Sequence, residues 1–95
     1  MELEFDGEII WWRGPAPFHY IRVPDDEAAA IADIAPGVTY GWGVIPVTVL
    51  IGVSEFTTSL FPKDGGYLVP VKAAIRTAEG LSLGDVVTVR LGIAA

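Results

Sequence analysis

Two Val-Pro pairs punctuate the chain at equivalent points. Val23-Pro24 and Val69-Pro70 each close a run of strand-forming residues, and each precedes a short helix pattern, a turn and another strand. Proline has no amide donor and fixes φ, so it ends a strand ladder and suits the first turn of a helix. The two units agree in order, not in residue detail. Strands so arranged hide their edges by closing on each other. The expectation is a mainly β fold, a small pseudo-twofold β-barrel with two short helices, built from two βαβ-like halves.

The second unit, residues 55–91, carries the pattern most clearly. In residues 55–61, Phe56, Thr58 and Leu60 alternate with Thr57, Ser59 and Phe61, the period of a strand. Residues 62–66 form a turn by composition. Asp64-Gly65 is a strong hairpin signal because both residues tolerate positive φ. Residues 67–70 read as a short strand. Residues 71–78 read as a short helix with Val71, Ala74, Ile75 and Ala78 on one face. An exit turn over residues 80–85 leads to a closing strand over residues 86–93, where Val87, Val89 and Leu91 alternate with Thr88 and Arg90.

The first unit is less regular. Residues 3–13 begin with Leu3, Phe5 and Gly7 alternating with acids, then turn continuously apolar from Ile9 to Trp12, which predicts a bulge near Gly7 or cover on both faces. Adjacent Trp11 and Trp12 must point to opposite faces of one strand, so one can enter the core and the other needs cover. Gly14-Pro15-Ala16-Pro17 breaks the strand, and residues 18–23 form the next. After Pro24, the acids Asp25, Asp26 and Glu27 favour a helix start, Ala28, Ile31 and Ala35 give a narrow apolar stripe, and Pro36-Gly37 predicts the stop. Residues 38–52 are rich in β-formers, with Pro46 arguing for an edge or a bulge.

Ninety-five residues fit one domain, residues 1–95. A mean hydropathy of +0.49 is more than so small a core absorbs, and it predicts apolar surface at a partner interface or in a pocket. The net charge of −6 argues against nucleic acid, whose affinity rests on basic groups releasing phosphate counterions. Without cysteine there are no disulfides, thiolate nucleophiles or Cys-held metals. The acidic start, Met1-Glu2-Leu3-Glu4, has no apolar core of a secretory signal, and the longest apolar run, residues 44–53, is far short of a bilayer span. A soluble cytoplasmic protein with no membrane partner is the expectation.

The second unit also carries a resemblance. Phe56-Thr57-Thr58-Ser59-Leu60, Pro62, Gly65-Gly66-Tyr67, Leu68-Val69-Pro70-Val71, Ile75-Arg76, Gly80-Leu81 and Gly84-Asp85-Val86-Val87-Thr88-Val89 resemble the small bacterial family called domain of unknown function nineteen-oh-five. The first strand and Tyr20 to Pro24 fit as well, so nearly the whole chain is covered. The resemblance implies a double-split β-barrel and, the family having no established activity, assigns no functional residues. More distantly, Leu68-Val69-Pro70, Ile75-Arg76 and Gly84-Asp85 are similar to the swapped-hairpin antitoxin and transition-state-regulator family. Those proteins dimerise and bind DNA. This chain holds both units in one polypeptide and lacks their clustered cations, so the likeness carries the shape alone.

Thr57, Thr58, Ser59, Lys63, Lys72 and Arg76 are the most concentrated polar and basic set. They can line a small anion site with Arg76 forking to a carboxylate or phosphate. Alternatively the hydroxyls satisfy strand edges and Arg76 pairs with Asp64, Glu79 or Asp85, a reading favoured because surface ion pairs form readily. Gly65-Gly66 can expose amides to an anion, but Asp64 beside them points to a plain hairpin. Trp11, Trp12, Tyr20 and Trp42, with Phe18, are the aromatic concentration, and either pack under the helices or form a pocket or dimer contact. His19, the single histidine, lies between two aromatics. With Ser54, Ser59 or Ser82 it formally allows a hydrolase, but no Gly-x-Ser-x-Gly is present. Asp25-Asp26-Glu27 does not match a calcium-loop spacing.

These features predict a non-enzymatic binding or protein-interaction module with no cofactor and no metal. Its partner is an unidentified ligand or protein, a second copy of the chain meeting the exposed aromatic face included. The alternative is a barrel binding a small anion or small molecule through Ser59, Lys72 and Arg76. An antitoxin-like DNA binder is disfavoured by charge.

Overall fold

The computed structural model describes residues 1–38 and 44–94. The acid–apolar alternation at the start becomes β1 (Glu2–Trp11), followed by β2 (His19–Arg22), α1 (Asp25–Val38) and β3 (Ile45–Ile51). The second unit gives β4 (Ser54–Lys63), β5 (Gly66–Pro70), α2 (Ala73–Glu79) and β6 (Val86–Gly92). The order strand–strand–helix–strand thus occurs twice. All pairings are antiparallel, and the strands close into a barrel in the order β1-β2-β5-β4-β3-β6, with β6 returning to β1. Among the described residues no helix is long and apolar enough to cross a membrane.

The barrel is split twice, and the Val-Pro pairs explain where. β4 pairs with β3 from Ser54 to Leu60 and with β5 only from Phe61 to Lys63. The hairpin turn makes Lys63 and Gly66 a hydrogen-bonded pair, so Phe61 and Leu68 form the next one. Continuing that register, Ser59 would meet Pro70, which has no N–H to give. The ladder stops there, and the chain carries on beside β2 instead, with Val71 N–H donating to His19 O at 2.9 Å. β1 behaves in the same way. It pairs with β6 over Glu2 to Glu8 and with β2 over Ile9 to Trp11, and in the latter register Asp6 would meet Pro24.

This partner exchange replaces the bulge expected near Gly7. The register of β1 is constant on each side, and period-two burial runs through Ile9. The continuous apolar run marks the strand's passage from one sheet to the other. Neither tryptophan enters the core: Trp11 ends β1 exposed, and Trp12 lies beyond the strand, half-buried. Inward-facing Phe5, Ile9, Ile21, Val49, Leu60 and Val89 make the centre of one buried cluster, each such side chain contributing roughly 1.5–3 kcal/mol.

Both hairpin turns follow from residue type. Asp64 and Gly65 have φ of 51° and 76°, the doubly positive pattern of a type I′ turn. At Gly52-Val53 only the glycine is positive, at 58°, as in type II′. Pro46 sits within β3, a strand paired on both sides, but the β3–β6 ladder begins only at Thr48. Its missing donor therefore falls on a locally free edge.

The helices differ from expectation. α1 continues through Pro36 to Val38, and Gly37 is not in the left-handed region. Proline's φ is helical, and only one hydrogen bond is lost this close to a helix end. Residues 39–43, expected as strand, lie outside the described residues. α2 begins at Ala73, later than expected, because buried Val71 still pairs with β2. Ala74 and Ala78 are exposed, and only Ile75 of the expected face packs on the core. Gly80, at φ 64°, ends α2, with Leu81 N–H donating to Arg76 O at 2.8 Å.

Candidate functional site

The β4–β5 split leaves a groove. The two-residue turn makes Ile51 and Ser54 a hydrogen-bonded pair, so Phe56 and Thr58 also bond to β3. Glu55, Thr57 and Ser59 therefore aim their N–H and C=O groups the other way, toward the side that β5 has left. Pro70 and Lys72 line the same gap. An open groove of about 540 Å³ lies here, lined also by Thr58, Pro46 and Pro17. Lys72 is exposed and has no ion-pair partner among the described residues. The groove is thus lined by three hydroxyl-bearing residues, by an ammonium and by a length of strand edge, the last two unpaired among the described residues.

The structure brings Thr57, Thr58, Ser59 and Lys72 of the polar set together, and places Lys63 and Arg76 elsewhere. Arg76 Nη1 donates to Val71 O at 2.6 Å, tying α2 to the end of β5. None of the three acids expected to pair with it does so among the described residues. Lys63 lies 3.3 Å from Asp64 Oδ2, with its Nζ 4.6 Å from the centre of the Trp12 ring. Gly65-Gly66 forms the plain hairpin. A residue the sequence reading missed, Arg22, lies against Gly66 and donates to the carbonyls of Lys63 and Asp64 at 3.3 Å. No local sequence signal marks it, since its partners lie forty-one and forty-two residues away.

The aromatic residues separate into two groups. Trp12 packs on Tyr20 and Phe61, with ring centres 5.4 and 5.6 Å away, and Gly14 leaves room for the indole. Tyr20 is buried, and its hydroxyl donates to Pro15 O, so the loop of residues 12–18 folds down over the outer face of β2. Burial raises the Tyr20 pKa above its ordinary 10.0. Trp11 and Phe18, 6.4 Å apart, are 54% and 40% exposed and form an apolar pair at the surface. Trp42 lies outside the described residues.

The remaining candidates have structural partners. His19 Nδ1 stands 3.2 Å from Pro17 O. Ser54 Oγ donates to Glu79 Oε2 at 2.6 Å, and the Ser82 N–H donates to Asp85 Oδ2 at 2.8 Å. Asp25, Asp26 and Glu27 occupy the first turn of α1, where the helix dipole favours them. Among the described residues no group of three or more histidines and acids could hold a metal ion. A second groove, about 440 Å³, lies on the outer sheet face among Glu2, Glu4, Glu55 and Arg90. There the Glu4 hydrogen bond, 2.8 Å long, and its charge raise the Arg90 pKa.

A family model described as Domain of unknown function (DUF1905) matches residues 5–91 of the chain. No curated protein matches it.

Proposed function

The chain belongs to that family, whose description names no activity, and from that premise we propose that it is a single-domain binding module rather than an enzyme. Its ligand site is the groove between the β4 edge and the β5–α2 corner. The observation that carries this reading is Lys72. It is a cation without an ion-pair partner among the described residues, in a groove lined also by Thr57, Thr58 and Ser59. A volume near 540 Å³ falls within the roughly 300–1,000 Å³ typical of small-molecule sites. The hydroxyl of Ser54 and the His19 Nδ1 position are engaged in structural contacts, which supports binding over nucleophilic chemistry. Lys63 and Arg76 act as supports, fixing the hairpin and the α2 corner.

The test is a thermal-shift series with acetate, succinate and phosphate on the parent and on Lys72→Ala. The parent should gain melting temperature with a carboxylate or phosphate, by the mass-action stabilisation of the folded state. The variant, equally stable alone, should lose that gain. An equal response in both would remove Lys72 from the site and sink the reading.

A second reading has its own support. Trp11 and Phe18 form an exposed aromatic pair of the kind enriched at interfaces. A second copy of the chain meeting this pair gives a homodimer. Sedimentation over a concentration series checks it: dimerisation should weaken in Trp11→Ser, and a monomer at every concentration overturns it.

A further inference from the structure

We infer that the groove takes the free C-terminal end of an extended polypeptide, which adds to β4 as a short strand and sets its carboxylate on Lys72. This rests on the binding reading above and names the class of ligand. Thr57 and Ser59 each present an N–H and a C=O toward the gap, two residues and about 6.8 Å apart. An extended chain meets both donors and both acceptors at that spacing, which is the basis of strand addition. A small anion meets the donors alone and leaves the carbonyls unpaired.

The far wall cannot complete the ladder. Pro70 and Pro17 both line the groove, and neither has an amide hydrogen to give. Folded proteins ordinarily cover or pair a strand edge. Here α2 is fastened at the opposite end of that edge, where Glu79 holds Ser54, and among the described residues the stretch beside Thr57 and Ser59 has no strand partner on that side.

Charge selects the end of a chain over an acidic internal segment. The protein carries a net −6, so a run of acids is repelled by the surface as a whole. A single carboxylate needs only one cation nearby, and Lys72 lines the same groove as Thr57 to receive it. A C-terminus supplies that carboxylate and the extended backbone together.

The experiment uses the whole ¹⁵N-labelled protein and two random tetrapeptide pools, both N-acetylated, one ending in a free acid and one in an amide. The free-acid pool should shift the Thr57 and Ser59 amide signals and slow their hydrogen exchange. It should bind about three- to tenfold more tightly than the amidated pool, as expected for one charge-assisted contact at a partly solvated site. Lys72→Gln should erase that preference. Thr57 and Ser59 amides unmoved by either pool overturn the inference. If acetate and succinate still act through Lys72 in that case, the groove remains a ligand site and strand addition alone has failed. If neither peptides nor carboxylates act, both readings fall.

Discussion

A Cβ built on Gly7 would overlap Cγ2 of Ile21. Gly7 lies on the inward face of β1 at the point where the strand leaves β6 and approaches β2. The absent side chain is what lets the two strands come together. Gly7→Ala should destabilise the protein by about 1–3 kcal/mol, the usual cost of overpacking. Ile21→Ala removes the obstructing methyl, so the double variant should be more stable than the sum of the single changes predicts. Urea unfolding of the four proteins measures that coupling, and strict additivity would show that the two residues do not compete for space.

Tyr20 links the loop of residues 12–18 to the barrel, and it sets an alkaline limit. Its pKa is raised above the ordinary 10.0, because burial disfavours the phenolate. The unfolded chain therefore loses the proton first. The stability this provides is complete below about pH 10 and is lost as pH rises through the folded value. Tyr20→Phe should cost about 1 kcal/mol near neutrality, through the bond to Pro15 O. It should also flatten the alkaline decline seen by urea unfolding, and an unchanged decline would assign that titration to another group.

The β3–β4 hairpin and α2 are joined by Ser54 Oγ donating to Glu79 Oε2 at 2.6 Å. Ser54→Ala should cost about 1–2 kcal/mol, in the range for a hydrogen bond to a charged group partly exposed to water. Amide exchange in α2 should quicken more than elsewhere, since no residue of that helix is buried. Uniform quickening across the barrel would mean that the contact is not local to the helix. At Gly52 φ is positive, which disfavours other residues, and a Cβ there would displace the Glu79 carboxylate.

The turn at Asp64-Gly65 needs left-handed backbone at both positions. Gly65→Ala should destabilise by about 1–2 kcal/mol, the cost of placing a Cβ in that region. Asp64→Asn should be near neutral in thermal melts, since asparagine visits the same region. A larger loss for Asp64→Asn would show that the Lys63–Asp64 contact at 3.3 Å matters more than the turn.

Much of the candidate groove was legible in the sequence. Thr57, Thr58, Ser59 and Lys72 stood out as a polar set and do share one groove. Lys63 and Arg76 do not join them, because hairpin pairing and the α2 corner turn those side chains onto Asp64, Trp12 and the Val71 carbonyl. Proximity along a chain reports neither. Arg22 went unnoticed for the same reason: its contacts lie forty-one and forty-two residues away.

Local chemistry settled the strands, the two tight turns and the order of elements, since alternation, Asp-Gly and the missing proline donor act within a few residues. The two Val-Pro pairs even mark where each ladder must stop. Tertiary structure alone decided what lies across each gap. It made β1 and β4 change partners midway, carried α1 past Pro36, and left Ala74 and Ala78 of α2 in water. Those outcomes depend on which distant strand competes for the same hydrogen-bonding edge and the same core volume, and no short window of residues contains that competition.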